Sequence, residues 1–223
     1  MAVKTETVEI RPLEIKQTKI RIVGDTPLIV HAWSDKAKKQ MLDAQQGKKA
    51  GKEKPRKNPV DDFIQACYWM SPKPEYPEKA SEETAAAAFN AAIKAGARFG
   101  FPVTAIKQAA ASAAYRLGWV KNQMGIRGAL FFDADERGLV EIHSDVPAMR
   151  EDMVKIAMGS ADLRYRPQFN NWSIDLDVKY NEMCGISWEN LLNAINAAGF
   201  ICGIGEWRPE RDGGYGMFHV AGA

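Results

Sequence analysis

The chain has 223 residues, a formal net charge of +2 and an apolar fraction of 46%. This length allows one large domain or two small ones, and the apolar content argues against wholesale disorder. The near-neutral balance excludes any argument for nucleic-acid binding from overall charge, so such a case depends on local charge. No apolar run reaches about 18 residues, which predicts no membrane span. Three widely spaced cysteines indicate reduced thiols in a cytoplasmic protein.

The N-terminal part of the chain predicts two strands and a short helix. Ile20 and Ile22 alternate with charged residues, which is the pattern of a half-buried strand. A turn at 24–27 is typical of its Gly-Asp-Thr-Pro composition, and the apolar residues 28–30 resume as a second strand. A short helix is expected from Ser34 to about residue 44.

A localised basic segment follows this helix. Residues 36–57 contain nine Lys or Arg against Asp43 and Glu53, a local charge of +7 that leaves −5 for the rest of the chain. Residues 45–59 lack apolar periodicity and predict a basic, flexible insertion that would gain from phosphate through counterion release. The alternative is a solvated insertion that only aids solubility. The candidate phosphate contacts in this insertion are Lys48, Lys49, Lys52, Lys54, Arg56 and Lys57.

The middle of the chain predicts two alanine-rich helices and a hairpin. One helix is expected over 80–97, and a second over 105–117 with Thr104 as its N-cap and Lys107 near its start. Apolar runs at 129–132 and 139–142 flank a polar loop of hairpin length and predict two paired strands. Residues 149–158 are expected to form a short helix or a linking segment.

The C-terminal third carries the clearest regular pattern. Apolar and polar residues alternate over 172–180, which predicts a strand with one face in water. A helix capped by Ser187 and stopped by Gly199 follows, and a last strand is expected over 217–220. The order of strands and helices suggests a split βαβ arrangement. The chain is therefore predicted to be a single α+β domain over 1–223, a ferredoxin-like or RRM-type sandwich with inserted loops.

The most informative stretch is the glycine-rich run over 203–218, because its composition suits a nucleic-acid strand. Glycine lets backbone N–H groups approach an anion, arginine fits phosphate, and aromatic rings stack on bases. The candidates here are Gly203, Gly205, Trp207, Arg208, Arg211, Gly213, Gly214 and Tyr215. An ordinary glycine-rich hairpin with exposed arginines is the alternative.

Two further arginines, Arg164 and Arg166, alternate with aromatic residues just before the strand over 172–180. This interleaving favours a nucleic-acid contact by at least one of them. The alternative places Tyr165 and Phe169 in the core and both arginines in salt bridges.

Three segments together resemble the RAMP superfamily, the repeat-associated proteins of CRISPR effector complexes. Residues 24–30 resemble its first strand and turn, residues 101–110 its proline-Ser/Thr-Lys helix start, and residues 203–205 with 213–216 its C-terminal glycine-rich loop. The chain departs from the family pattern at Val103 and Gln108, where glycine is usual, and its loop carries an insertion at 207–209. The resemblance implies a backbone-type subunit that polymerises along guide RNA, with Lys107 facing the RNA.

The predicted function is RNA binding without catalysis, in a ribonucleoprotein of CRISPR type for antiviral defence. The dispersed histidines lack metal-ligand spacing, so neither a metal site nor a cofactor is expected. The expected partners are single-stranded RNA of guide type or single-stranded DNA, further copies in an oligomer or filament, and other effector subunits, but no membrane. The alternatives are a phage-type single-stranded-DNA-binding or annealing protein, a self-assembling structural protein, and a metal-dependent nuclease that uses Asp35, Asp61 or Asp62.

Overall fold

The structure of the protein is a computed structural model that describes residues 12–48, 57–155 and 161–222. Its strands are β1 (Lys16–Gly24), β2 (Leu28–Ile29), β3 (Phe99–Pro102), β4 (Leu130–Phe132), β5 (Leu139–Ile142), β6 (Ala148–Lys155), β7 (Ala161–Phe169), β8 (Ser173–Tyr180) and β9 (Phe218–Val220). Its helices are α1 (Asp35–Gln45), α2 (Pro59–Ala66), α3 (Glu82–Lys94), α4 (Val103–Arg116), α5 (Met124–Ala129) and α6 (Trp188–Ile201). The α+β class predicted from the sequence is confirmed.

A four-stranded antiparallel sheet in the order β4-β8-β1-β9 forms the centre of the fold. Helix α4 lies in the chain between β1 and β4, and helix α6 lies between β8 and β9. The two helices pack against each other. Ile22, Ile174 and Leu176 are fully buried among the helix residues of the core. The alternation of β8 places its charged residues on the opposite face, as the sequence predicts.

The charged face of this sheet is a ladder of ion pairs. Arg21 donates two hydrogen bonds to Asp175, of 2.6 and 2.9 Å, and these residues are directly opposite in the register of β1 and β8. Lys19 Nζ lies 3.2 Å from Asp177 Oδ1, and Lys179 Nζ lies 2.6 Å from Asp133 Oδ1. Because each cation has a carboxylate neighbour, this face presents little net charge to a phosphate backbone.

A second layer of structure is built from the segments between the central strands. The sheet β2-β7-β6 packs on α2, α2 contacts α3, and β3 pairs with β5. Aromatic rings fill the space between these elements, with ring centroids 4.8 to 6.5 Å apart in the cluster of Phe63, Trp69, Phe89, Phe99 and Phe169. Such offset and edge-to-face contacts add to the stability that the buried area gives.

Gly24, at the end of β1, is required by its contact with the side chain of Trp172. A Cβ at this position would lie 2.1 Å from Trp172 Nε1, so only glycine leaves room for the indole. The same indole donates a hydrogen bond of 2.8 Å to the Thr26 carbonyl, and Gly24 N–H donates to the Trp172 carbonyl. The turn and the start of β8 therefore form one packed unit.

Four details of the predicted secondary structure are wrong. Strands β4 and β5 do not pair with each other across 133–138, because β4 pairs with β8 and β5 with β3. Residues 149–155 lie in strand β6, since they pair with β7 along their whole length. Helix α4 begins at Val103, with Pro102 and not Thr104 at the N-cap. Gly199 lies inside α6, where a Cβ would meet the Phe218 carbonyl oxygen at 1.6 Å.

Within the described ranges, no helix is both long enough and apolar enough to cross a membrane.

Candidate nucleic-acid interface

The glycine-rich loop between α6 and β9 is closed by its own backbone. Ile204 N–H donates to the Gly216 carbonyl at 2.9 Å, and Tyr215 N–H donates to the Trp207 carbonyl at 3.0 Å. A 3-10 turn over Pro209–Arg211 packs back on the end of α6, where Glu210 N–H donates to the Cys202 carbonyl at 3.1 Å. Glu206 N–H donates to the Ile29 carbonyl at 2.8 Å, which ties the loop to β2. The loop is therefore a folded element and not an open cradle.

The glycines of this loop let other segments of the backbone approach closely. Gly203, Gly205 and Gly216 have φ of +63°, +80° and +66°, a region that disfavours residues with a Cβ. A Cβ on Gly213 would lie 1.8 Å from the Trp207 carbonyl oxygen, whereas one on Gly214 would meet open space. The expected anion-facing N–H groups are not found at Gly203 and Gly213, which donate to the Ala198 and Arg208 carbonyls.

Arg208 is held inside the loop by Glu210. Its Nη2 donates to Glu210 Oε2 at 3.0 Å and its Nη1 donates to the Gly205 carbonyl at 3.0 Å. Glu210 also accepts from Ser112 Oγ and Arg116 Nη2 of α4, each at 3.1 Å. Burial raises the pKa of Glu210, but the hydrogen bonds from Arg208 and Ser112 outweigh it, so the pKa is lower than usual. Arg208, which the sequence marks as a candidate nucleic-acid contact, therefore pairs with a carboxylate of its own loop.

Arg166 lies in a buried charge network at the base of the β6–β7 hairpin. Its side chain is only 4% exposed, with Nη1 3.4 Å from Asp152 Oδ2 and Nη2 3.5 Å from Glu206 Oε2. Asp152 also accepts a hydrogen bond of 2.8 Å from Arg150 Nε. The sequence predicts Arg166 as a nucleic-acid contact, and in the structure both sides of its guanidinium meet carboxylates. The alternative from the sequence, a salt bridge beside a buried Phe169, holds at this position.

Tyr215 joins the loop to the same network. Its hydroxyl accepts a hydrogen bond of 2.9 Å from Arg150 Nη1, and the Arg150 guanidinium carbon lies 4.7 Å from the centroid of its ring. The hairpin and the loop are thus joined by two contacts, one between Arg150 and Tyr215 and one between Arg166 and Glu206. Because Arg150 lies in a strand that lacks apolar alternation, the sequence analysis missed it. The two-residue spacing of Arg150 and Asp152 is the only signal that could have found this pair.

Four residues of the loop are exposed, namely Trp207, Arg211, Asp212 and Gly214, and two of them have side chains suited to a nucleic acid. Trp207 has φ of +54° and is 41% exposed, despite the strain of that backbone region for a bulky residue. Arg211 is exposed, and no carboxylate of the described residues lies within 4 Å of its guanidinium. An indole and an unpaired guanidinium on one folded loop are the chemistry that stacking on a base and pairing with a phosphate require.

Lys107 is not brought to this loop. Its Nζ lies 3.7 Å from the centroid of the Phe131 ring on β4, the edge strand opposite to β9. Arg116, which contacts the loop, is nine positions further along α4. Lys107 therefore lies about 14 Å from Arg116 along the helix axis and on roughly the opposite face of the helix. Burial, and then the Arg127 charge, lower the pKa of Lys107. The two family-like segments therefore do not converge on one ligand.

The two described ends of the basic insertion carry ion pairs. Lys48 Nζ lies 3.2 Å from Asp43 Oδ1, and Lys57 donates to Asp162 Oδ1 at 2.9 Å and to the Leu163 carbonyl. Arg164 is half-exposed, with its Nε 3.7 Å from the same Asp162. The described start of the insertion is therefore paired with α1, and its described end lies beside β7. The other candidates of the insertion, Lys49, Lys52, Lys54 and Arg56, lie outside the described residues.

The segment after β2 adds residues that the sequence analysis did not select. His31 is more than half buried, and burial, followed by the Arg166 charge, lowers the pKa of its imidazole. Glu206 and Arg164 are also close enough to affect that pKa. Trp33, two residues further on, is 60% exposed. A single tryptophan next to the start of a helix belongs to no periodic pattern, so the sequence alone does not show that its side chain is exposed.

In the described part of the chain, no group of three or more His, Cys, Asp or Glu side chains has the arrangement of a metal site. No model of a known protein family matches the chain, and no curated protein matches it significantly.

Proposed function

We propose that the protein binds single-stranded nucleic acid, RNA in the first place, as a backbone-type subunit of a ribonucleoprotein similar to those of the RAMP superfamily. In this proposal several copies lie side by side along the strand. The strand follows the surface formed by the glycine-rich loop and by strands β6 and β7, beside which Lys57 of the basic insertion lies. Lys107 and the charged face of the central sheet are not part of it.

The topology of the central sheet supports a ferredoxin-like fold. Strands β1, β4, β8 and β9 with α4 and α6 follow the order β-α-β-β-α-β, and the antiparallel arrangement β4-β8-β1-β9 is the one that two interleaved βαβ units produce. Many RNA-binding domains share this topology, but a fold alone does not define a function. The side chains of the glycine-rich loop are therefore what favours a nucleic-acid ligand.

The observation that carries the proposal is the contrast within the glycine-rich loop. Its backbone is closed by hydrogen bonds and its polar side chains are anchored to the hairpin and to α4, yet Trp207 and Arg211 face solvent. A tightly held scaffold lowers the entropy cost of presenting these two side chains to a ligand. The basic insertion supplies, by its sequence, a local excess of positive charge that a polynucleotide backbone attracts.

Arg211 gives the sharpest test of this proposal. The Arg211→Ala variant should weaken binding of a labelled single-stranded RNA and reduce the slope of log affinity against log salt by about one contact. Arg137→Ala is the matched control, because Arg137 is also exposed but is paired with Asp135 on the loop between β4 and β5. An unchanged affinity and salt slope in Arg211→Ala would reject the assigned contact.

Single-stranded DNA is the second candidate ligand. Stacking on Trp207 and pairing with Arg211 recognise a base and a phosphate, and neither contact requires a 2′-hydroxyl. Competition between RNA and DNA oligonucleotides of the same sequence and length separates the two cases. Preference for RNA favours the ribonucleoprotein subunit, and preference for DNA favours a phage-type binding or annealing protein.

A further inference from the structure

The exposed Trp33 suggests a second contact for the same strand. The chain before it is fixed, because Val30 N–H donates to the Pro167 carbonyl and Ala32 N–H donates to the Ala66 carbonyl. Ser34 then caps α1 by accepting a hydrogen bond from Ala37 N–H. The backbone of Trp33 is therefore well positioned, although most of its indole is in water.

Trp33 lies a short distance along the chain from the point where the glycine-rich loop is tied to β2. Glu206, the neighbour of Trp207, donates its N–H to the Ile29 carbonyl, and Trp33 follows Ile29 by four residues, at most about 14 Å of extended chain. His31 lies between them in the sequence, close enough to Arg164 and Glu206 for their charges to affect its pKa. The segment that leads to Trp33 is therefore near charged residues of both β7 and the glycine-rich loop.

The charge around Trp33 also suits a polynucleotide. Trp33 precedes Ser34, the N-cap of α1, and this helix carries Lys36, Lys38 and Lys39 against Asp35 and Asp43. Within the described residues only Lys38 of these three has a carboxylate within 4 Å, namely Asp35. Exposed tryptophan beside uncompensated lysines is the combination that single-strand-binding surfaces use, with cations tracking the backbone and rings stacking on bases.

We propose that Trp33 is a base-stacking residue, and that an unpaired nucleobase of the strand bound at Trp207 and Arg211 stacks on its indole. This inference rests on the proposed function, and it adds a second stacking position next to the basic helix α1. The contact is independent of base identity, since every base offers an aromatic face. It therefore predicts an effect on affinity without a change in sequence preference.

The test compares Trp33→Ala, Trp33→Phe and Trp119→Ala in titrations of a fluorescein-labelled oligouridine RNA followed by anisotropy. Trp119 is the matched control because it is 52% exposed and lies beside Ile126 and Ile186, on the other side of α4 from the loop contacts. Trp33→Ala should bind about 5- to 100-fold more weakly with an unchanged salt slope, as expected for loss of one stacked base. Trp33→Phe should recover most of the affinity, and Trp119→Ala should match the unsubstituted protein.

The outcomes separate the inference from the proposed function. If the unsubstituted protein binds RNA and Trp33→Ala stays within about twofold of it, Trp33 is not a contact and the inference is rejected while RNA binding stands. Equal weakening in Trp33→Ala and Trp119→Ala also rejects it, because the effect would then not be local. If the unsubstituted protein binds neither RNA nor single-stranded DNA, the proposed function and this inference fail together. A melting temperature within a few degrees of the unsubstituted protein shows that each variant is folded.

Discussion

Replacing Asp152 by alanine tests whether the buried charge network joins the hairpin to the glycine-rich loop. Asp152 is only 6% exposed, and its two oxygens contact Arg150 Nε at 2.8 Å and Arg166 Nη1 at 3.4 Å. The Asp152→Ala variant leaves the buried Arg166 guanidinium with Glu206 as its remaining carboxylate neighbour. It also removes one of the hydrogen bonds that orient Arg150 toward Tyr215.

The expected cost follows from burial. Breaking a buried ion pair by removing one partner destabilises a protein by about 3–5 kcal/mol, because the other charge is left without compensation. Glu206 still faces Arg166 and Arg150 is partly exposed, so the low end, about 3 kcal/mol, is expected here. For a chain of this size each kcal/mol lowers the melting temperature by about 2–4 °C, which gives a decrease of about 6–12 °C.

Thermal unfolding followed by circular dichroism measures this decrease. Asp177→Ala is the control, because Asp177 pairs with Lys19 on the exposed face of the sheet and such surface pairs contribute at most about 1 kcal/mol. The reasoning is refuted if Asp152→Ala lowers the melting temperature no more than Asp177→Ala does.

Three further predictions test other parts of the account. Gly213→Ala should destabilise the protein and weaken RNA binding, because the added Cβ would meet the Trp207 carbonyl. Gly214→Ala should do neither, because a Cβ there would meet open space. Equal denaturant midpoints for the two variants would contradict the packing role of Gly213. The lowered pKa of Glu210 means that its contribution to stability is complete above about pH 4.5 and is lost as the pH falls through the folded-state pKa. The difference in urea midpoint between the unsubstituted protein and Glu210→Gln should therefore shrink from pH 7 to pH 3, and a constant difference would rule out this linkage. Replacing the four basic residues within 49–56 by serine should reduce the salt dependence of RNA binding, and an unchanged slope would show that the insertion does not contact phosphate.

The elements with strong local patterns could be predicted from the sequence. Strand β8 has nearly uninterrupted alternation, and α6 has a serine cap followed by an apolar stripe, so both fold as their own residues dictate. The partners of β4 and β5 could not be predicted, because two short apolar runs around a turn have the sequence pattern of a hairpin. Their actual partners, β8 and β3, are distant in the sequence, and the pairing is decided by packing of the core.

The candidate site was predictable in composition but not in arrangement. The sequence marks the arginines and aromatic residues of the loop, but it does not tell which of them face solvent. Glu206 of the loop pairs with Arg166 of β7, which is distant in the sequence. Glu210 pairs with Arg208 across a turn of the loop. Neither pairing can be read from the sequence. Strand β6 illustrates the same limit, because its polar sequence favours a strand only when β7 pairs with it.

Binding of single-stranded RNA by the unsubstituted protein, measured by anisotropy across a series of salt concentrations, tests the central claim most directly. The account predicts a Kd of about 10⁻⁶ M or lower at about 50 mM salt, with log affinity falling linearly against log salt. Absence of binding to both RNA and single-stranded DNA at low salt, or an affinity that does not depend on salt, would contradict it.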